Sequence, residues 1–173
     1  MSKEIVAPRK TRFWADTSGT LEKLAAEIIK KEFRALQHVR FVFAWREPHR
    51  MRNGRPVYGE VKKCATRDRD LFQKDVIVIL AKGIWKEFNP KQRLKLMWHE
   101  LYHVDVPLQD TLEPEVDDRG RIKIVIRKHD CNLERFYDEL ERFGPDAEER
   151  TVIKRLSKIY KTWKTENGIG AKG

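Results

Sequence analysis

Leu96-Met97-Trp98-His99-Glu100-Leu101-Tyr102-His103-Val104 is the stretch that decides how this chain is read. It contains His-Glu-x-x-His, and shortly upstream Asn89 and Pro90 form a helix-start signal, with Asn89 as the cap and Pro90 in the first position. The spacing predicts a helix running to about Val104 or Asp105, and Pro107 stops it soon after. Four residues advance ~400° around a helix, so His99 and His103 stand one turn apart on nearly one face. Both rings then reach one metal ion, at ~2.0–2.1 Å from each nitrogen. Glu100 lies one step around the helix, placed to hydrogen-bond a water on that ion as a general base. Leu94, Trp98 and Leu101 form a separate apolar stripe that packs on a core.

A catalytic zinc takes three protein ligands and keeps a fourth position open. The extended motif with Gly three residues after the second His fails, because Val106 stands there. The remaining histidines are His38, His49 and His129. His129 is favoured, since it follows a predicted strand and precedes a predicted helix, two rigid elements that position a ligand. Asp130, Glu134, Glu113, Glu115 and Asp117 compete as oxygen donors. Neutral imidazoles around an open site favour Zn2+ over iron, nickel or cobalt. Tyr102, Tyr137 and Arg127 are candidate donors to a developing oxyanion.

Outward from the motif the pattern alternates strands and helices. Thr17, Ser18 or Thr20 caps a first helix reaching about Leu36. Val39, Phe41, Phe43 and Trp45 alternate as a half-buried strand. Glu47 to Tyr58, with Pro48, Asn53, Gly54 and Pro56, reads as a loop. Gly59 to Thr66 reads as an edge strand whose lysines deter aggregation, and such an edge is also where an extended substrate strand pairs. Asp75 to Leu80 suits a central strand buried on both faces. Ile122, Ile124 and Ile126 share one side of a further strand. His129 or Asp130 opens a helix ending at Gly144, and a last helix spans about Ala147 to Thr165. Val152, Leu156, Ile159, Tyr160 and Trp163 form its apolar stripe, which predicts docking on the core under a solvated basic face. The expected organisation is a basic, partly disordered lead-in over 1–16, one domain over 17–145, and a basic amphipathic helix with a loose tail over 146–173.

The 173 residues make one ordinary domain with room for a core. Lys and Arg number 37 against 27 Asp and Glu, a net charge of +10, which permits nucleic acid as a partner. The longest apolar run, Val76 to Ala81, excludes a membrane-spanning helix. Met1 to Lys10 lacks the apolar core of an export signal. Cys64 and Cys131, far apart, read as reduced thiols of a cytoplasmic protein and exclude a four-cysteine zinc module.

The run from Asp75–Leu80 through His99-Glu100-Leu101-Tyr102-His103 to His129-Asp130 and Arg142-Phe143-Gly144 resembles a phage metallopeptidase family. It is more distantly similar to SprT-like zinc proteases. The resemblance covers roughly residues 20 to 145. It implies an α+β, zincin-like domain with a small mixed or antiparallel sheet, an active-site helix and flanking helices. It further implies a zinc peptidase encoded by a phage or prophage, acting in the host cytoplasm on a protein or peptide substrate. By position, His99, His103 and His129 match the metal ligands and Glu100 the catalytic acid, while Asp130 matches a position that orients a ligand ring. In this expected mechanism a metal-activated water attacks the peptide carbonyl, with Glu100 as general base. Two other readings compete: a nucleic-acid-binding protein with a structural zinc, and a zinc hydrolase of a non-peptide bond. The sequence leaves the oligomeric state open.

Overall fold

The computed structural model describes residues 10–52, 54–129 and 137–166. Backbone packing divides the chain into two compact units, residues 1–128 and 129–173, where the sequence reading placed its division after residue 145. In chain order the first unit runs β1 (Arg12–Ala15), α1 (Thr20–Glu32), β2 (Phe41–Glu47), β3 (Arg50–Arg52), β4 (Arg55–Val57), β5 (Gly59–Lys63), α2 (Thr66–Phe72), β6 (Val76–Ala81), α3 (Lys82–Glu87), α4 (Pro90–Tyr102), β7 (Val104–Asp105) and β8 (Val125–Ile126). The second unit contains α5 (Tyr137–Phe143) and α6 (Ala147–Glu166). The architecture is mixed α+β.

The main sheet has the order β1-β2-β6-β5. β6 pairs parallel with β2 and antiparallel with β5, and β1 is antiparallel to β2. The continuous apolar run of β6 has its physical reason here: Val76, Val78, Ile79, Leu80 and Ala81 are buried between two neighbouring strands. β5 is an edge strand, and its Lys63 ammonium donates to the Ile124 carbonyl at 3.1 Å. Leu21, Ala25, Ile28 and Ile29 of α1 are buried, as are Leu96, Met97 and Leu101 of α4.

Several local expectations change. Residues 12–15 of the expected lead-in form a strand, because Phe13 and Trp14 extend the sheet beside Arg46 and Trp45. Gly19 holds the cap position of α1 with no side-chain cap bond, though the Ser18 hydroxyl accepts from the Thr20 N–H at 3.3 Å. Asp16 serves instead, accepting from the Leu21 N–H at 2.8 Å, the Ser18 hydroxyl at 2.6 Å and the Trp45 indole N–H at 3.2 Å. One carboxylate thus ties the end of β1 to the start of α1 and to β2. α1 stops at Glu32, and a 3-10 turn over Arg34–His38 carries the chain to β2. The expected loop 47–58 holds the antiparallel ribbon β3–β4. The strand expected over 121–127 is a ladder only at Val125–Ile126, with a single bridge at Ile122. That segment is held mainly by side chains, Lys63 on the Ile124 carbonyl and Arg69 on the Ile122 carbonyl at 2.9 Å.

The helix start expected at His129 or Asp130 lies largely outside the described residues, as does Cys131. In the second unit, α6 begins with a reciprocal cap: the Glu149 N–H donates to Asp146 at 2.9 Å, and the Asp146 N–H to Glu149 at 2.8 Å. Val152, Leu156 and Tyr160 of its apolar stripe are exposed. Among the described residues no helix is long and apolar enough to cross a membrane.

Candidate metal centre

The helix that carries the site starts as its chemistry dictates. Asn89 accepts from the Gln92 N–H at 2.9 Å, Gln92 accepts from the Asn89 N–H at 2.9 Å, and Pro90 occupies the first turn. The far end is shorter than expected. α4 closes at Tyr102, and His103 is its C-terminal cap, still in helical conformation at φ −66°, ψ −20°. His99 and His103 therefore keep helical spacing, while the chain turns immediately into β7.

That turn orients the second imidazole. β7 pairs with β8, which brings the Arg127 backbone against His103. The Arg127 N–H donates to the His103 carbonyl at 2.8 Å. The His103 Nδ1–H donates to the Arg127 carbonyl, also at 2.8 Å. A carbonyl only accepts, so in a neutral ring the proton sits on Nδ1 and Nε2 carries the lone pair. His103 Nε2 faces His99 Nε2 at 3.2 Å. Two nitrogens bound at ~2.0–2.1 Å to one tetrahedral ion stand about 3.3 Å apart. The two rings are thus already spaced for a shared cation.

His129 completes the set two residues after Arg127. One ring nitrogen from each of His99, His103 and His129 lies within 4.8 Å of the other two. All three residues are partly buried. Among the described residues this is the group of His, Cys, Asp or Glu side chains whose donor atoms converge in this way. Two of the competing carboxylates are engaged elsewhere: Glu115 pairs with Lys123 at 2.8 Å, and Asp117 with Arg121 at 2.8 Å. The Arg121 guanidinium holds the Asp117 carboxyl far below the usual carboxylate range. Asp130, expected to orient a ligand ring, and Glu134 lie outside the described residues.

Glu100 is 4% exposed. Its side chain lies over β5 at Gly59, where an added Cβ would stand 2.1 Å from Glu100 Oε1 and 2.9 Å from Cγ. Glycine is required there by close approach rather than by backbone conformation. Glu100 also acts electrostatically on Arg46, a guanidinium only 2% exposed. Burial pulls the Arg46 pKa down, and Glu60 and Glu100 oppose that. Arg46 donates to Glu60 at 3.0 Å and to the Val57 carbonyl at 2.9 Å. Sequence reasoning missed Gly59 and Arg46. Glycine in a strand does signal close backbone approach, but Arg46 sits on the side of β2 that alternation assigns to solvent.

Of the candidate oxyanion donors, Tyr102 and Arg127 pack against each other. The Tyr102 ring stacks on Trp98 at 4.8 Å, and Arg127 lies over Tyr102 at 4.3 Å. Trp98 in turn donates to Glu32 at 2.8 Å and packs against Phe33. The side chain of Tyr137 lies outside the described set.

Three converging imidazoles, one of them next in sequence to a buried carboxylate, define a candidate centre for a divalent metal. A family model described as putative phage metallopeptidase matches residues 12–164, and the chain belongs to that family. No comparison shows the distant similarity to SprT-like zinc proteases. No curated protein and no solved structure matches the chain.

Proposed function

We propose that the protein is a zinc-dependent peptidase with a zincin-like active-site helix, His99, His103 and His129 being the ligands and Glu100 the general base. The observation that carries this reading is the convergence of three ring nitrogens within 4.8 Å beside a buried glutamate. A zinc ion bound there supplies Lewis acidity, polarising a carbonyl and bringing the pKa of water down toward about 7. The chain's own residues do the rest. His103 directs its Nε2 lone pair toward the site because its Nδ1–H donates to the Arg127 carbonyl. Glu100 accepts a proton at its carboxylate and returns it to the leaving amine nitrogen, a role that general acid–base groups fill for about 10²–10⁴ in rate. β5 limits where that carboxylate moves, since Gly59 lies against it. A purely structural zinc site has no use for such an acid between its histidines. The cytoplasm of an infected host is the proposed place of action.

The test is the Glu100→Gln protein, assayed for metal content by elemental analysis and for hydrolysis of a casein or peptide-library substrate. The expected result is one zinc per chain, intact folding and hydrolysis reduced at least a hundredfold. Full activity in that variant would overturn the general-base role. Purified wild type that neither carries nor takes up zinc would overturn the whole reading.

A further inference from the structure

The peptidase reading makes no use of the ribbon β3–β4. Its register sets Arg52 directly opposite Arg55, with Arg50 two residues along and opposite Val57. Side chains alternate along a strand, so Arg50, Arg52 and Arg55 share one face. Like charges directly opposite each other in a sheet are destabilising. All three residues are exposed, so no core contact offsets that repulsion.

Counter-charge is scarce around them. Glu60 is the carboxylate within reach of Arg50, at 3.9 Å. The same Glu60 already meets Arg46 at 3.0 Å and Lys62 at 3.0 Å. Among the described residues Arg52 and Arg55 make no ion pair. From residue 46 to residue 63 the chain carries six Lys or Arg against two Glu. Gly54, at φ 76°, allows the tight reversal between the strands without a bulky side chain.

We infer that the arginine face of this ribbon is a docking surface for the phosphate backbone of duplex DNA. The major groove, ~12 Å wide, admits a two-stranded ribbon. Arginine's planar fork suits phosphate oxygens, and phosphate contacts require only fixed positive charge. The ribbon offers a narrow face that carries three arginines beside Val57. Three phosphate contacts account for a salt slope of about −3, at roughly −0.9 for each neutralised phosphate. This inference stands apart from the peptidase reading, because none of the three arginines belongs to the metal centre.

The experiment is a fluorescence-anisotropy titration of full-length protein against a labelled 20-base-pair duplex across a series of NaCl concentrations from 50 to 300 mM. Three variants are compared: R50A/R52A/R55A, R50K/R52K/R55K and, on α6, K154A/K158A/K161A. Wild type is expected to bind at 50 mM and to weaken steeply with salt. The triple alanine variant loses about 2 to 3 from the logarithmic salt slope and at least tenfold in affinity at 50 mM. The lysine variant keeps most of the binding, and the α6 variant keeps the part of the slope that the ribbon carries. R52Q alone, losing about 0.9 of slope, serves where the triple variant does not fold. Absence of wild-type binding at 50 mM overturns the inference. An unchanged slope in folded R50A/R52A/R55A overturns it, as does binding to polyglutamate with none to the duplex.

Discussion

Gly59→Ala is the substitution whose consequence the geometry specifies most closely. The new Cβ would stand 2.1, 2.5 and 2.9 Å from Oε1, Cδ and Cγ of Glu100. Turning the carboxylate alone does not relieve this, because Cγ is itself too close. Glu100 must adopt another rotamer about its Cα–Cβ bond, or β5 must move away from α4. With Glu100 only 4% exposed, neither is free. Overpacking of this kind costs about 1–3 kcal/mol. Removing a strand glycine returns about 0.5–1 kcal/mol of conformational entropy. The net loss should be about 1–2 kcal/mol, or about 2–8 °C in Tm at this chain length. In the Glu100→Ala background all three clashing atoms are gone, and the same glycine change should be neutral or slightly stabilising. Denaturant unfolding of the four proteins forms a double-mutant cycle, with an expected coupling of about 1–3 kcal/mol. Additivity within about 0.5 kcal/mol would refute the claim that β5 holds Glu100 in place. With peptide substrate, Gly59→Ala should keep its zinc while kcat falls at least tenfold, because the ligands are untouched and the base is displaced.

Asp75, 1% exposed, accepts from Arg40 at 2.9 Å and from Arg69 at 2.9 Å. Burial pushes its carboxyl up, but the bonds from Arg40 and Arg69 outweigh that and hold it below the ordinary range. The stabilisation is therefore complete above the unfolded pKa of about 4 and is lost as the pH falls through the folded value. Asp75→Asn should cost about 3–5 kcal/mol at pH 7 and flatten the acid limb of a stability–pH curve measured in urea; an unchanged acid limb would count against this. Zinc added to metal-free protein at a hundredfold excess over Kd should stabilise it by about 2.7 kcal/mol. His129→Ala should lose most of that gain in a thermal-shift titration, and an equal gain would remove His129 from the ligand set. Trp98→Ala should cost about 3–5 kcal/mol in chemical denaturation, because the ring is buried against Phe33 and Tyr102; a loss below 1 kcal/mol would contradict that packing.

What was legible in the sequence were the features carried by local rules. Asn89, Pro90 and Gln92 act within one turn, so the start of α4 could be read directly. The β-branched run of β6 states its double-sided burial in composition alone. Long-range geometry was not legible. Arg46 was assigned to solvent because alternation marks two faces of a strand, and nothing local says that both faces of β2 are covered. Asp16 caps α1 from outside the positions where a cap is sought. The loop 47–58 was read from its Pro, Asn and Gly residues, which mark turns but do not exclude short strands flanking the turn. At the site, His99 and His103 followed from helical periodicity. The His103–Arg127 contact depends on a β7–β8 pairing only two residues long, for which isoleucine alternation gave the right region and too long a strand.

The metal centre is built around the place where α4 ends. Had the helix run on to Asp105, the His103 carbonyl and ring would have continued along one axis, with nothing to bring the chain back. By closing at Tyr102, α4 frees the His103 carbonyl for the Arg127 N–H, and the same short pairing supplies the carbonyl that orients the ring. A two-residue ladder is weak alone. It is reinforced upstream, where Lys63 of β5 holds the Ile124 carbonyl and Arg69 of α2 holds the Ile122 carbonyl. Arg69 is itself fixed by Asp75, which opens onto β6. The orientation of the His103 ring is thus inherited from the sheet through buried charge, and Glu100 is placed against that sheet through Gly59. The His103 ring and the Glu100 carboxylate both take their positions from β5 and β6, so perturbations of that edge should register at the candidate site before they unfold the chain.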